Sequence, residues 1–198
     1  MEFDILTLFP SMFAGPFSEG ILGRAISNGI IQVHFHQIRD FTTDKHRTVD
    51  DQPYGGGPGM VMKCEPLFHA WEAAKQRNPA VPARTILLSP QGQPLQQKLI
   101  ESWAADLAKK ERLILVCGRY EGIDERFIEA CVDLEISVGD FVLSGGELGA
   151  MILVDALMRL LPGALGNEAS TAGESFSTAA DGLLEFPIFR NGTLAHVL

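Results

Sequence analysis

Two glycine-rich segments contain the residues of this chain that are best suited to bind a ligand. The first, residues 117–126, has Arg119 and Glu121 between glycines, and the second, residues 136–148, has Asp140 in the same setting. Glycine allows the backbone to approach a ligand closely, and the charged side chains between the glycines can bind polar groups. A single loop of this kind more often only turns a strand into a helix. Two loops, each placed after a short apolar run, favour one shared binding pocket.

The glycines do not match the common nucleotide-binding motifs. No Gly-x-Gly-x-x-Gly opens a helix after the first predicted strand, and no Gly-Lys-Ser/Thr follows a glycine loop. The sequence therefore indicates neither a Rossmann dinucleotide site nor a P-loop. Ser137 and Ser144 also lack the Gly-x-Ser-x-Gly frame, which removes the main support for a serine hydrolase.

The segments around these loops alternate between strand and helix patterns. Short apolar or alternating runs predict strands at residues 3–9, 31–38, 85–89, 112–116, 134–137 and 141–143. Apolar residues at helical spacing predict helices at residues 21–28, 67–74, 95–107, 124–131 and 147–161. This alternation predicts an α/β fold with a mostly parallel sheet and flanking helices. Ligands of such folds bind beyond the carboxyl ends of the strands, where both glycine loops would lie.

Two local predictions concern polar side chains of these elements. The alternation in residues 31–38 puts His34 and His36 on one face of a strand, where we expect them to face solvent rather than bind a metal. Asp124 stands directly before a helical pattern, which predicts that it caps that helix.

Length, cysteines and hydropathy set the class of protein. A chain of 198 residues, 46% of them hydrophobic and 21% charged, can bury one main core. Cys64, Cys117 and Cys131 form no Cys-x-x-Cys pair, so neither a disulfide framework nor a zinc ribbon is indicated. No basic segment precedes the first apolar run, and charged residues interrupt the apolar stretch at 142–165. We therefore expect a cytoplasmic protein that is neither secreted nor membrane-spanning.

The net charge of −9 argues against broad, sequence-blind binding to nucleic acid, and DNA is not an expected partner. Any contact with RNA must be local. The candidate region is residues 39–60, where Lys45, His46 and Arg47 run into a glycine-rich loop. The same residues also fit a charged loop that is merely solvated.

Several blocks of the sequence occur in an order that resembles the bacterial tRNA (guanine-N1)-methyltransferases of the SPOUT superfamily. The resemblance extends over about residues 1–185. The blocks are residues 8–10, 23–25, 39–41, 46–51, 53–60, 88–92, 117–126 and 144–148. Ordered blocks of this length are far more specific than a single glycine loop.

The resemblance implies a fold that periodicity alone does not predict. In SPOUT proteins the carboxyl-terminal part of a parallel α/β sheet is threaded into a deep trefoil knot. Knotted chains are rare among protein folds. The resemblance implies a knotted domain at residues 1–162 that binds S-adenosylmethionine, followed at 163–198 by an interdomain linker and the start of a tRNA-binding domain. It also implies a homodimer whose subunits share each active site.

The resemblance assigns the site residue by residue. The methyl-donor site would comprise Leu88, Ser89, Pro90, Gly118, Tyr120, Glu121, Gly122, Val138, Gly139, Asp140, Phe141, Val142, Leu143, Gly145 and Gly146. Binding of tRNA would involve Arg47, Asp50, Gly55 and Gly59. The family also suggests magnesium as a further cofactor, with no ligands assigned to it.

Methylation of guanine at N1 needs two catalytic groups. The N1 atom holds a proton at neutral pH, so a general base must remove it and a cation must stabilise the charge that develops on O6. By resemblance, the base is Glu174, which precedes Ser175 and Phe176, and the cation is Arg159. The family usually has aspartate at the position of Glu174. Glutamate keeps the charge, and its side chain is one methylene longer.

Some features depart from the family pattern. Three extra residues separate Phe176 from Gly182, Gly149 replaces a usual proline, and the element expected after Pro187 is changed. The family continues into a helical tRNA-binding domain, of which residues up to Leu198 would include only the beginning. Two alternatives therefore stay open: a protein of this fold that binds donor or RNA without turnover, and a generic α/β nucleotide-binding enzyme.

Overall fold

The computed structural model describes residues 1–107, 112–165, 175–177 and 182–184. Most of the predicted second domain, residues 163–198, lies outside these ranges, so the division at residue 162 stays a prediction. In the described part of the chain, no helix is both long and apolar enough to cross a membrane.

The described residues form an α/β domain, as the alternating pattern predicts. The strands are β1 (Glu2–Thr7), β2 (Gln32–Gln37), β3 (Asp50–Asp51), β4 (Val61–Met62), β5 (Ala83–Pro94), β6 (Arg112–Cys117) and β7 (Leu134–Ser137). The α-helices are α1 (Ala14–Ser18), α2 (Gly20–Ser27), α3 (Cys64–Arg77), α4 (Gln97–Leu107), α5 (Glu125–Cys131) and α6 (Glu147–Met158). Two 3₁₀ turns lie at Pro10–Phe13 and Ile38–Phe41.

Five strands build one sheet in the order β2-β1-β6-β5-β7, and every neighbouring pair is parallel. The short strands β3 and β4 pair with each other in an antiparallel ladder. A parallel order requires helical crossovers that cover the sheet, which agrees with the predicted flanking helices. The loops after β6 and β7 and the irregular stretch of β5 at residues 89–92 consequently meet at one edge.

Strand β6 lies at the centre of the sheet and is buried along its whole length. Its side chains alternate between two hydrophobic clusters, so Leu113 and Leu115 face one cluster while Ile114 and Val116 face the other. Helix α6 packs in the first cluster, and α3 packs in the second. An uninterrupted apolar run is expected for a strand that is covered on both faces.

Three local predictions have clear outcomes. Asp124 caps α5 as predicted, since its side chain accepts a hydrogen bond of 3.0 Å from the Arg126 backbone N–H. The strand predicted at 141–143 is wrong, because Phe141 and Val142 are largely exposed and no strand of the described residues pairs with them. Helix α6 ends at Met158 and passes into a turn, three residues earlier than predicted.

The solvent-facing prediction is wrong for His36. Its ring Nε2 lies 2.8 Å from Oδ1 of Asp4, and only 12% of its side chain is exposed. His34 is half-buried, and burial lowers the pKa of its imidazole. Helix α3 packs against β2, and Asp4 lies beside His34 on the neighbouring strand β1. The sequence pattern of a single strand cannot reveal such neighbours.

A buried ionic cluster surrounds Asp4 near the amino ends of β1 and β6. Asp4 accepts hydrogen bonds of 2.7 Å from Arg112 and from Arg77, besides its contact with His36. Arg112 is itself buried and donates to the backbone oxygens of Ala74 and Lys75 on α3. Burial alone would raise the pKa of Asp4, but hydrogen bonds from His36, Arg77 and Arg112 hold it well below its usual range.

Candidate active site

A cavity of about 420 Å³ opens at the carboxyl edge of the sheet, between residues 87–91 of β5 and the loops that follow β6 and β7. All of the sequence-predicted donor-binding residues except Gly139 and Asp140 line it. They are Leu88, Ser89, Pro90, Gly118, Tyr120, Glu121, Gly122, Val138, Phe141, Val142, Leu143, Gly145 and Gly146. The two glycine loops therefore share one pocket, as their positions after parallel strands indicate.

The loop after β6 has the most unusual backbone of the site. Gly122 has a φ of 151°, a value that side chains disfavour, and Tyr120 has a φ of 61° although it carries a side chain. Left-handed residues other than glycine are uncommon and concentrate at functional sites. The turn exposes almost half of the Tyr120 surface at the mouth of the cavity.

The loop after the first half of β5 wraps around β7. Leu88 and Gln93 both pair with Ile136, so residues 89–92 bulge out between two consecutive contacts with the same residue. Leu95 then donates a backbone hydrogen bond of 2.8 Å to Ser137. A side chain at Gly92 would collide with the β7 backbone. This close wrapping places Ser89 and Pro90 over the cavity.

The third loop closes against the second. The Gly146 backbone N–H donates a 2.9 Å hydrogen bond to the Gly118 oxygen, and a Cβ at Gly146 would lie 2.7 Å from the Cys117 Cα atom. Only glycine permits this approach. Gly149, the position where the family usually has proline, faces Leu88 from within α6.

Gly139 and Asp140 lie beside the cavity rather than in its wall. The Ser137 hydroxyl donates a 2.9 Å hydrogen bond to the Gly139 oxygen, and a side chain at Gly139 would collide with the Phe141 ring. Gly139 thus shapes the turn that presents Phe141, while Asp140 is exposed. Sequence reasoning included both because they fall inside a contiguous motif.

The cavity carries more acidic than basic groups. Glu121, Glu125 and Glu135 line it together with Arg119. Such an arrangement favours a ligand with a positive charge near the carboxylates. Cys117 lies directly beneath, but burial, assisted by the charge of Glu147, raises the pKa of its thiol well above the usual value. Cys117 is therefore a neutral packing residue and not a nucleophile.

The predicted tRNA-binding segment is joined to the loop after β6. The Met60 oxygen accepts a 3.0 Å hydrogen bond from the Glu121 N–H, and Met62 pairs with Ile123. Gly59, with a φ of 82°, packs so closely on Glu121 that a side chain there would collide with the carboxylate. The structure thus brings Gly59 to the cavity wall, a contact that the sequence alone does not predict.

The other predicted tRNA-binding residues lie along the same segment, farther from the cavity. Asp50 belongs to β3 and is paired with Met62. Gly55 is exposed and has a φ of 86°, which fits a tight turn. Arg47 also has a left-handed backbone and forms an exposed ion pair with Asp40.

Of the two predicted catalytic residues, only Arg159 belongs to the described part of the chain, and it does not line this cavity. Arg159 follows α6, whose first residue, Glu147, adjoins the cavity wall. Twelve helical residues separate the two positions by about 18 Å, so Arg159 lies far from the donor loops of its own chain. Glu174 lies outside the described residues. The catalytic roles of this pair therefore stay a prediction.

Two contributors to the site were missed by sequence reasoning. Glu147 is fully buried, accepts a 2.8 Å hydrogen bond from the Thr7 hydroxyl and lies 2.9 Å from Nη2 of Arg119. A second cavity of about 570 Å³ adjoins the first, shares Ile123 and Glu125 with it, and is bordered by Tyr54. For Glu147, the one signal in the sequence was its position directly after Gly145-Gly146, at the start of a predicted helix.

A parallel sheet with a glycine-lined cavity at its carboxyl edge defines a ligand-binding α/β protein, and comparisons with known proteins make the class specific. The family model described as tRNA (guanine-1)-methyltransferase TrmD matches residues 1–195. The chain belongs to this family.

Individual relatives agree. The chain is 56% identical over 189 residues to the tRNA (guanine-N(1)-)-methyltransferase of Pelotomaculum thermopropionicum, covering 96% of this chain and 72% of that protein. It is 54% identical over 187 residues to the enzyme of the same name from Geobacter sulfurreducens, covering 94% and 73%. The crystal structure of the tRNA (m1G37) methyltransferase from Aquifex aeolicus matches with a TM-score of 0.73 at 41% identity, covering 84% of this chain and 72% of that one.

Proposed function

We propose that this chain transfers a methyl group from S-adenosylmethionine to N1 of a guanosine in tRNA, namely guanosine-37, directly 3′ of the anticodon. The observation that carries the proposal is the cavity at the carboxyl edge of the sheet. In a member of this family, it gathers the loops that family resemblance assigns to the methyl donor.

The cavity fits the donor in size and chemistry. Its volume of about 420 Å³ lies in the usual range for small-molecule sites. Leu88, Val138 and Leu143 offer an apolar surface for adenine, while the backbone of the glycine loops can bind its edge. The carboxylates of Glu121 and Glu135 favour a cationic sulfonium group.

The reaction forms a bond between guanine N1 and the methyl carbon, breaks the bond between that carbon and sulfur, and releases the N1 proton. When bound, the donor supplies an electrophilic methyl group. We propose that Glu174 accepts the proton and that Arg159 stabilises the charge on O6. The loops of the cavity hold the reacting atoms in line, which contributes much of the rate enhancement.

We propose that the active unit is a homodimer in which Arg159 and Glu174 of one subunit act beside the donor of the other. Two observations support this. Arg159 lies at the far end of α6 from the cavity of its own chain. The same helix carries Leu148 and Ile152 one turn apart, and each leaves nearly half of its surface exposed. Such an apolar stripe suits a two-fold contact.

We further propose that the chain is knotted at β7. Support comes from the pairing of Ile136 with residues at both ends of the loop 89–92, as expected when the chain passes through that loop. Tight backbone contact at Gly92 agrees with such threading.

We propose that tRNA approaches along residues 50–62 in the cytoplasm. This segment lines the second cavity, and its Gly59 packs against Glu121 in the wall of the first. Lys63 and Arg126 beside the second cavity offer cations for phosphates. The described residues contain no group of three or more His, Cys, Asp or Glu side chains suited to hold a metal. Because these residues do not form a magnesium site, no step is assigned to that ion.

The test combines calorimetry and a methyl-transfer assay. We expect S-adenosylhomocysteine to bind the chain, and labelled S-adenosylmethionine to methylate an unmodified tRNA at guanosine-37 but not a tRNA with adenosine there. Binding without transfer by the chain, even at saturating tRNA, would favour a protein of this fold that has no turnover. No binding of either donor compound would overturn the proposal.

Sharing of the active site has its own test. Arg159→Ala and Gly118→Val each disable one half of a shared site, so we expect each variant alone to be inactive. Each mixed dimer would contain one site with both halves intact. Because random pairing of equal amounts makes about half of the dimers mixed, the mixture should regain up to about a quarter of the original activity. Failure of the mixture to regain activity, in dimers shown to exchange subunits, would contradict the shared site.

A further inference from the structure

We propose that Glu147 is a positioning residue for the methyl-donor site and acts through Arg119. This inference rests on the proposed function. Glu147 does not line the cavity, whereas Arg119 does. The carboxylate would therefore influence the donor only by holding the arginine and, with it, the two glycine loops.

The position of Glu147 supports this role. It is the first residue of α6, where the helix dipole favours a negative charge, and its side chain is completely buried. One carboxylate oxygen accepts a 2.8 Å hydrogen bond from Thr7, and the other lies 2.9 Å from Nη2 of Arg119. Among the residues that the structure describes, Arg119 is the one cation paired with Glu147, and a buried carboxylate with one such partner is sensitive to its loss.

Arg119 connects the two glycine loops with the segment that follows β1. Its Nη1 donates a 3.0 Å hydrogen bond to the Ser144 oxygen, and its guanidinium stacks 4.7 Å from the centre of the Phe9 ring. The side chain crosses directly over Gly145, where a Cβ atom would collide with it. Arg119 thus fixes the loop after β6 against the turn that begins α6.

Removal of the negative charge should release this arrangement. With Gln at position 147 the hydrogen bond to Thr7 can persist, but the attraction to Arg119 is lost. Arg119 is partly exposed, so its side chain can turn to water. The Ser144 contact then weakens, and the gap between residues 118–122 and 144–146 is no longer fixed for the donor.

The experiment measures the Kd of S-adenosylhomocysteine by calorimetry for the whole chain and its variants. Glu147→Gln should raise this Kd by at least about tenfold, the effect of losing one charged contact. Glu147→Asp keeps the charge and should lose less. Asp4→Asn is the matched control, since it makes the same chemical change in a fully buried carboxylate at the opposite edge of the sheet, and its Kd should stay within about twofold.

Arg119→Gln removes the other partner of the same ion pair. If Glu147→Gln does not fold, the Kd of S-adenosylhomocysteine for Arg119→Gln should rise in the same way. The double variant should bind no more weakly than Arg119→Gln alone, because the two residues act in series. An unchanged Kd for Glu147→Gln, additive losses in the double variant, or an equal loss in Asp4→Asn would each overturn the inference. Failure of the unsubstituted chain to bind the compound would overturn the proposed function together with it.

Discussion

The two edges of the sheet each bury a carboxylate completely, yet they use it differently. At the amino edge, Asp4 lies within a strand and contacts His36, Arg77 and Arg112. At the carboxyl edge, Glu147 begins a helix and contacts the cation Arg119, which belongs to a glycine loop. Charges held between strands stabilise the fold, whereas a charge held against a loop can set the geometry of a site.

Strand β1 connects the two edges, because it carries Asp4 near one end and Thr7 at the other. The separation between them is three residues, or about 10 Å. If the amino edge mainly sets stability and the carboxyl edge mainly sets ligand binding, substitutions at the amino edge should change the free energy of unfolding. Substitutions at the carboxyl edge should chiefly change the Kd of the donor.

The largest effect on stability is expected from Arg112→Leu. This change leaves the Asp4 carboxylate buried with fewer partners and deprives the Ala74 and Lys75 oxygens of their donor. Breaking a buried ion pair typically costs about 3 to 5 kcal/mol. Urea denaturation should show this loss in the free energy of unfolding, while the Kd for S-adenosylhomocysteine of the folded variant stays within about twofold. A parallel loss of donor affinity would contradict the division between the edges.

Gly146→Ala should have the next largest effect, this time at the carboxyl edge. The new methyl group would lie 2.7 Å from the Cys117 Cα atom and 3.1 Å from the Gly118 nitrogen, so the two loops must separate. We expect the donor Kd to rise at least about tenfold, with a loss of about 1 to 3 kcal/mol in stability. Gly15→Ala is the control, since its Cβ would meet no atom within 4 Å, and it should change neither quantity adversely. Unchanged donor binding by Gly146→Ala would show that the loops tolerate separation.

Lowering the pH should weaken the amino edge in a predictable direction. The folded-state pKa of Asp4 lies below its ordinary value of 3.8, so the ionised carboxylate stabilises the fold above that value. This contribution is lost as the pH falls from about 4 toward the folded-state pKa. The gap in free energy of unfolding between the original chain and Asp4→Asn should therefore be constant near pH 6 and shrink below pH 4. A constant gap down to pH 2 would show that Asp4 contributes little through its charge.

The two edges also differ in how far they can be predicted from sequence. The glycine loops were predictable because their residues are contiguous and each follows an apolar strand, and a parallel sheet must bring such loops to one edge. The cluster around Asp4 was not, because Arg77 and Arg112 are distant in the chain and nothing local indicates that they converge.

The errors in the prediction have physical causes of the same kind. Phe141 and Val142 have strand propensity, but a strand also needs a partner, and the described sheet offers none there. In the sequence, Glu147 is an ordinary acidic residue at the start of a helix. Only the packing of Thr7 and Arg119 around it gives it a specific role.

Thr7→Val should have the smallest effect and tests the connection between the edges most closely. The substitution removes the hydroxyl that donates to Glu147 and accepts from the Phe9 N–H, at nearly constant volume. The free energy of unfolding should fall by about 1 to 2 kcal/mol, since two hydrogen bonds are lost at a buried site. Donor affinity should fall by no more than about threefold, because the ion pair between Glu147 and Arg119 stays in place. Urea denaturation and calorimetry on the same preparation separate these quantities. If Thr7→Val weakened donor binding as much as Glu147→Gln, the hydroxyl rather than the arginine would be the partner through which Glu147 positions the loops, and the carboxyl edge would depend on β1 itself.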